Sequence, residues 1–152
     1  MKKLISLLAA VLITTGLFAQ KVAEKDVPPA VLSTFKSKIT DSVNVAWTKE
    51  GAIYEAAFTK NNMPVEVEIK ETSEWVMTEW GIPAEYLPKK IKHHIDSVYA
   101  GFKVTETTIA YRTDGNFYVI EVKKKKDVQE LTYALTCEFV KSEKIEAEKK
   151  EK

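Results

Sequence analysis

The sequence is poor in the residues that most often carry chemistry. It has one cysteine, Cys137, in 152 residues. A single cysteine excludes an internal disulfide and leaves no paired spacing for a thiolate zinc site. The two histidines, His93 and His94, are adjacent. Neighbouring helix positions point about 100° apart, so the pair cannot chelate one ion from one helix. The five glycines lie in turns or in the leader, which excludes a glycine-rich phosphate loop. Charge of one sign is lacking too. Lys plus Arg number 23 against 22 Asp plus Glu, so nothing in the net charge pulls the chain toward nucleic acid or an anionic membrane.

Long hydrophobic runs are absent except at the start. Lys2 and Lys3 precede an apolar stretch from Leu4 to Phe18, followed by the small residue Ala19. This reads as a secretory signal peptide, residues 1–19, and the run is short and wrongly flanked for a membrane span. No cysteine lies near the cleavage point, which argues against a lipid anchor. Removing the leader removes two lysines and no acids. The mature chain then has a net charge of about −1 and needs no stable membrane span. Periplasmic or secreted location follows from this reading. The remainder is long enough for a core that holds without disulfides.

What is present is periodic. Lys21–Asp26 reads as a mobile lead-in. Pro28 and Pro29 suit a first helical turn, and Val31, Phe35 and Ile39 recur at spacing four, predicting a helix that ends near Thr40–Ser42. The period then changes to two. "VNVAWTK", "AIYEAAFT", "PVEVEIK" and "WVMTEW" predict four antiparallel strands joined by tight turns. After "GIPAEYLP", Ile91, Ile95, Val98 and Phe102 mark a second helical face. Four more strands follow, in "VTETTIAYRT", "FYVIEVK", "LTYAL" and "FVKSE". Asp114-Gly115 is a strong hairpin signal between the first two.

The second half repeats the first. "TSEWVMTE" (72–79) returns sixty-four residues later as "TCEFVKSE" (136–143), and "VAWTKEG" (45–51) as "IAYRTDG" (109–115). The helices match at an offset of sixty, Phe35 with Ile95. Four extra residues are therefore expected between helix and first strand in the second half. Self-similarity of this kind is first a statement about structure. It predicts an α+β fold of two tandem helix-plus-four-strand units, residues 27–83 and 84–143. Their strands form a mainly continuous antiparallel sheet with helices on one face. The charged segment 144–152 is expected to be a flexible tail.

A helix opened by "VP" or "LP", an "AW…EG.Y" hairpin and a "V.I…..W..TE" segment, each used twice, resemble the PepSY-like family. That family is also described as beta-lactamase-inhibitor-like, and is common in exported proteins of Bacteroidetes. The resemblance spans about residues 27–143. It implies two tandem units with helices on one face and the other face open, and its relation to inhibitory domains suggests a protein-binding role. It supplies no site residues.

The residues themselves name no reaction. Cys137 has no flanking motif for a nucleophile, which would need a base and an orienting group. Glu66 and Glu68 alternate with apolar residues as a solvated strand face does. "KKKKD" (123–127) reads as a solvated hairpin tip. His94, near the Ile91/Ile95 stripe, is expected to be partly buried. The open sheet face is more informative. Two-residue loops at Glu50-Gly51 and Asp114-Gly115 pair Trp47 with Tyr54 and Tyr111 with Tyr118, and place them under the helices. A two-residue loop at Ser73-Glu74 then projects Trp75 and Met77, and by analogy Phe139, from the open face beside Ile53, Phe117 and Val119. These six residues are the candidate partner-binding anchors, and the exposed aromatics Trp75 and Phe139 are expected to contribute little to folding.

The resulting reading is a non-enzymatic module, with no cofactor and no metal. It binds an unknown protein or peptide in the cell envelope, in the manner of a peptidase inhibitor. The alternatives are a small envelope ligand in the cleft between the units and a homodimer contact on the open face. Mass spectrometry of exported protein is expected to find a mature N-terminus within a few residues of Gln20, whereas an intact Met1 would identify the leader as an anchor.

Overall fold

The computed structural model describes residues 19–40 and 44–145. The leader reading over 1–18, residues 41–43 and the tail at 146–152 lie outside the described residues; the first helix ends at Lys38, short of the expected Thr40–Ser42, and the strand after it begins at Ala46. Strand β1 (Gln20–Val22) leads through a short 3-10 turn to helix α1 (Pro29–Lys38). Four strands follow: β2 (Ala46–Glu50), β3 (Ile53–Lys60), β4 (Met63–Lys70) and β5 (Trp75–Gly81). A second 3-10 turn opens helix α2 (Lys89–Val98). The last four strands are β6 (Lys103–Arg112), β7 (Gly115–Lys124), β8 (Asp127–Ala134) and β9 (Phe139–Ile145). All nine form one antiparallel sheet in sequence order. No helix among the described residues is long and apolar enough to cross a membrane.

Two segments are more ordered than their sequence suggests. Gln20–Val22 pairs with Trp47–Lys49 as an edge strand, because its backbone finds partners that a free lead-in would lack. Cleavage after Ala19 would leave this strand intact. At the other edge β9 runs on to Ile145, so Lys144 and Ile145 belong to the sheet and not to the tail.

Both helices lie over the same face. Val31 and Phe35 of α1 pack on Trp47, Tyr54, Phe58, Val65, Val67 and Ile69. Trp47 is 3% exposed, with its ring 5.2 Å from Phe35 in an edge contact. Ile91 and Ile95 of α2 pack on Ile120, Val122, Leu131 and Tyr133. His94 is half-buried here, 2.9 Å from the Tyr133 hydroxyl.

The register shows where the four extra residues went. Tyr54 pairs with Ile69 and Tyr118 with Tyr133, so β3–β4 and β7–β8 repeat at sixty-four. The first hairpins do not. Trp47 pairs with Ala56, and it is Thr107 that pairs with Ile120. The loop after β2 is Gly51-Ala52, with Glu50 opposite Ile53, and the loop after β6 is Thr113-Asp114, with Arg112 opposite Gly115. Each loop differs by one position from the expected one, which slides the pairing by two residues and preserves the faces. The insertion therefore lengthens the β6–β7 hairpin by two residues on each strand, and the helix-to-strand connection is not longer. Tyr111 lies in this extension. It faces the helix side but is 40% exposed, because α2 covers β7 and β8 and does not reach the hairpin end.

Trp47→Ala is expected to cost roughly 3–5 kcal/mol, the range for deleting a buried large aromatic. Tyr111→Ala is expected to cost less than about 1 kcal/mol. Urea melts of both variants check the assignment.

Candidate binding face

The face opposite the helices is built by alternate residues of each strand, and the turns decide which. In the turn after β4, Lys70 N–H donates to Glu74 O and Ser73 N–H donates to Lys70 O. The loop is three residues long, Glu71 to Ser73, with Ser73 left-handed at φ 68°. This is a three-residue hairpin loop with its third residue in the left-handed region. Trp75 is thereby opposite Ile69, and one bulge residue later Met77 is opposite Glu68. The loop after β8 repeats this geometry. Cys137 is left-handed at φ 66°, Phe139 is opposite Tyr133, and Lys141 is opposite Thr132.

The consequence for the six candidate anchors is mixed. Trp75 points to the helix side, where it packs against the first core. Its indole N–H donates to Thr78 Oγ1 at 3.0 Å, and Lys38 Nζ lies 4.7 Å from its ring. Phe139 also points to the helix side, its ring 5.1 Å from His94 and 5.4 Å from Tyr133. A loop one residue longer than expected reversed both side chains. Met77 does project from the open face, because the bulge restores the parity, but it is 1% exposed. Val119 is on that face and buried, whereas Phe117 and Ile53 are there and half-buried. The structure thus brings Met77, Phe117, Val119 and Ile53 to one face and separates Trp75 and Phe139 from them. Cys137, at the loop, is half-buried.

The larger surprise on this face is glutamate. Glu55 stands opposite Glu68, and Glu66 opposite Glu79. In the other half Glu106, Glu121, Glu130 and Glu143 form one row across four strands. Glu66 and Glu68 are each 7% exposed, and Glu79 is 4% exposed. They are buried with no helix over them, so it is their neighbours on the same face that shield them. This corrects the solvated reading of Glu66 and Glu68. A single strand records only that Glu alternates with Val. The missing signal was across strands, where glutamates fall opposite glutamates.

Like charges opposite one another in a sheet are unfavourable, and the protonation equilibria reflect it. Burial, reinforced by Glu55 and Glu79, pushes Glu66 up to about 8. Burial and the same two neighbours push Glu68 up to about 7, against a downward pull from Arg112. Burial with Glu121 beside it pushes Glu106 up to about 7. Glu55 and Glu130 are also raised, chiefly by burial. Arg112 sits near the centre of the face, opposite Met77. Its Nη2 donates to Glu79 Oε1 at 3.2 Å, and its Nε has no hydrogen-bond partner among the described residues. Thr132 Oγ1, also on this face and 2% exposed, has none either. Such a face can accept hydrogen bonds and positive charge. Among the described residues no three His, Cys, Asp or Glu side chains are disposed to hold a metal ion.

The chain resembles known proteins in sequence and in fold. The model of the family described as "Putative beta-lactamase-inhibitor-like, PepSY-like" matches residues 52–141. Comparison with curated proteins finds no match. Three solved structures share the fold. A protein of a domain family of unknown function from Bacteroides ovatus is 24% identical, with a TM-score of 0.69 over 77% of this chain and 86% of that one. A beta-lactamase-inhibitor-like protein from Bacteroides fragilis is 18% identical, with a TM-score of 0.69 over 82% and 92%. A "putative periplasmic" protein from Bacteroides eggerthii is 19% identical, with a TM-score of 0.70 over 79% and 90%.

The carboxyls make stability depend on pH in a set direction. Glu66, Glu68 and Glu106 hold their protons more tightly in the folded chain than at the ordinary value of 4.5. Their contribution is full below that value and is lost as pH rises through the folded values, because the folded state binds more protons there than the unfolded one. Stability is expected to fall by several kcal/mol between about pH 5 and pH 8. Glu66→Gln is expected to flatten this slope and to stabilise the chain at pH 8. Urea melts across the pH range measure both.

Proposed function

The chain belongs to the PepSY-like, beta-lactamase-inhibitor-like family, and from that premise we propose that it is a non-enzymatic binding module. Its open sheet face receives a protein or peptide partner that presents basic side chains. One observation carries the reading: Glu66 and Glu68 are buried on a face that neither helix covers. Carboxylates removed from water without full compensation are costly. A guanidinium or ammonium group from a partner would offset that cost and lower their pKa values. Met77, Val119 and Phe117 supply apolar contact among the acids. The same charge argues against a homodimer through this face, since two acidic faces repel.

We read the two runs of helix plus four strands, within 27–83 and 84–143, as tandem units that place one acidic row set each on a common face. The signal-like leader supports export to the periplasm or beyond, and the Bacteroides eggerthii neighbour supports the periplasm. The likeness to a beta-lactamase-inhibitor-like protein makes inhibition of an envelope hydrolase the first activity to assay.

The test is retention of an envelope protein on the immobilised mature chain. The double variant Glu66→Gln/Glu68→Gln keeps the shape and relieves repulsion, so it folds at least as well as the parent. It is expected to lower retention on the order of tenfold or more, and added salt is expected to do the same to the parent. Lys90→Glu, on the opposite side of the molecule, is expected to leave retention unchanged. Retention lost with Lys90→Glu and kept by the double variant would move the site to the helix side.

A further inference from the structure

A second feature lies where the two halves of the sheet meet. The end of β5 and the start of β6 flank a cavity of about 320 Å³, at the low end of the sizes that hold small organic ligands. Met63, Pro64, Gly81, Ile82 and Val104 line it with apolar surface. A Cβ on Gly81 would stand 2.4 Å from Pro64 Cγ, so the Gly81 backbone packs directly on the Pro64 ring. The hydroxyls at the wall are spent. Thr107 Oγ1 donates to the carbonyl of Ile82, and Thr105 Oγ1 to Glu121. Asn62 stands exposed at the rim. Glu106 is different. It lines the same cavity, is half-buried, and has no hydrogen-bond or ion-pair partner among the described residues.

We propose that this cavity is a binding site for a small organic cation, an ammonium group on a short apolar stem, with Glu106 as the counter-ion. The apolar walls take the stem, and the one unspent carboxylate takes the charged donor. An anionic ligand is excluded by Glu106 itself and by Glu121, its cross-strand partner. A neutral apolar ligand would leave the carboxylate desolvated and unpaired, which costs free energy. This site rests on the cavity and not on the partner-binding reading of the sheet face.

Hexylammonium, hexanol and hexanoate share a stem and differ in the head group. In an NMR titration of the mature chain at about pH 8.5, above the value of about 7 to which burial pushes Glu106, hexylammonium chloride is expected to shift the Ile82, Ala84 and Val104 resonances saturably, in the millimolar range suited to so few atoms. Hexanol is expected to bind about tenfold more weakly, as for loss of one charge-assisted hydrogen bond. Hexanoate is expected to leave those resonances unmoved. Glu106→Gln, which keeps the shape, is expected to bring hexylammonium down to the level of hexanol. The proposal is overturned if hexanoate binds as well as hexylammonium, or if Glu106→Gln keeps the preference for the amine. It also fails if the shifts centre on Met77 and Phe117, or if none saturates. The comparison of three probes on the unmodified chain holds whether or not the variant folds.

Discussion

The architecture depends on two left-handed residues, Ser73 and Cys137. Each closes a three-residue loop before the last strand of its half, at φ 68° and 66°. A non-glycine residue in that region costs on the order of 1 kcal/mol, and the surroundings hold it there. Thr34 of α1 donates its hydroxyl to the Ser73 carbonyl at 2.8 Å. His94, sixty residues on, takes the corresponding place in α2 and meets Tyr133 instead. The loop turns Trp75 and Phe139 toward the helices, and the bulge that follows returns Met77 and Lys141 to the open face. The repeated phrase is the written form of this device: a turn that sends one aromatic to the helix side, where Phe139 is still 43% exposed, then a bulge that resets the strand.

With the aromatics on the helix side, the two faces of the sheet become chemically opposite. One is closed by Phe35, Trp47 and Phe58 in the first half, whose rings meet edge to face. In the second half Ile91, Ile95 and Leu131 close it. These cores supply the hydrophobic gain that lets the other face hold acidic residues. There the antiparallel register sets Glu55 against Glu68 and Glu66 against Glu79. Arg112 offsets part of the repulsion. The row from Glu106 to Glu143 is relieved at Glu130 by Arg112 and Lys141, and at its edge Lys141 lies 2.9 Å from Glu143. A face arranged in this way costs stability at neutral pH and is complementary to positive charge, and the cavity at Glu106 shares that character.

Much of the fold was legible in the sequence. Val65, Val67 and Ile69 alternate with acids and form a strand over the first core. Val31 and Phe35 recur at helical spacing and are buried, and Pro28 and Pro88 open their helices at the expected places. The PepSY-like resemblance rested on these same punctuating residues and is matched over 52–141. The candidate site was less legible. Its anchors were assigned by counting alternate residues from an assumed two-residue loop, and one residue more in that loop moved Trp75 and Phe139 to the other face.

The sequence alone determined the two helices, the order of strands β2 to β9 and the strand periods, because each is a local pattern of side chains within a few neighbouring residues. Tertiary structure decided the rest. It placed the four inserted residues in the β6–β7 hairpin and so left Tyr111 half in solvent, since hairpin register is set by backbone turn geometry and not by similarity of letters. It also decided that Glu66 and Glu68 are buried. Their surroundings come from Glu55, Glu79 and Arg112 on three other strands, and the charge a side chain meets in a sheet belongs to residues brought opposite it by pairing, at distances along the chain that no local pattern records.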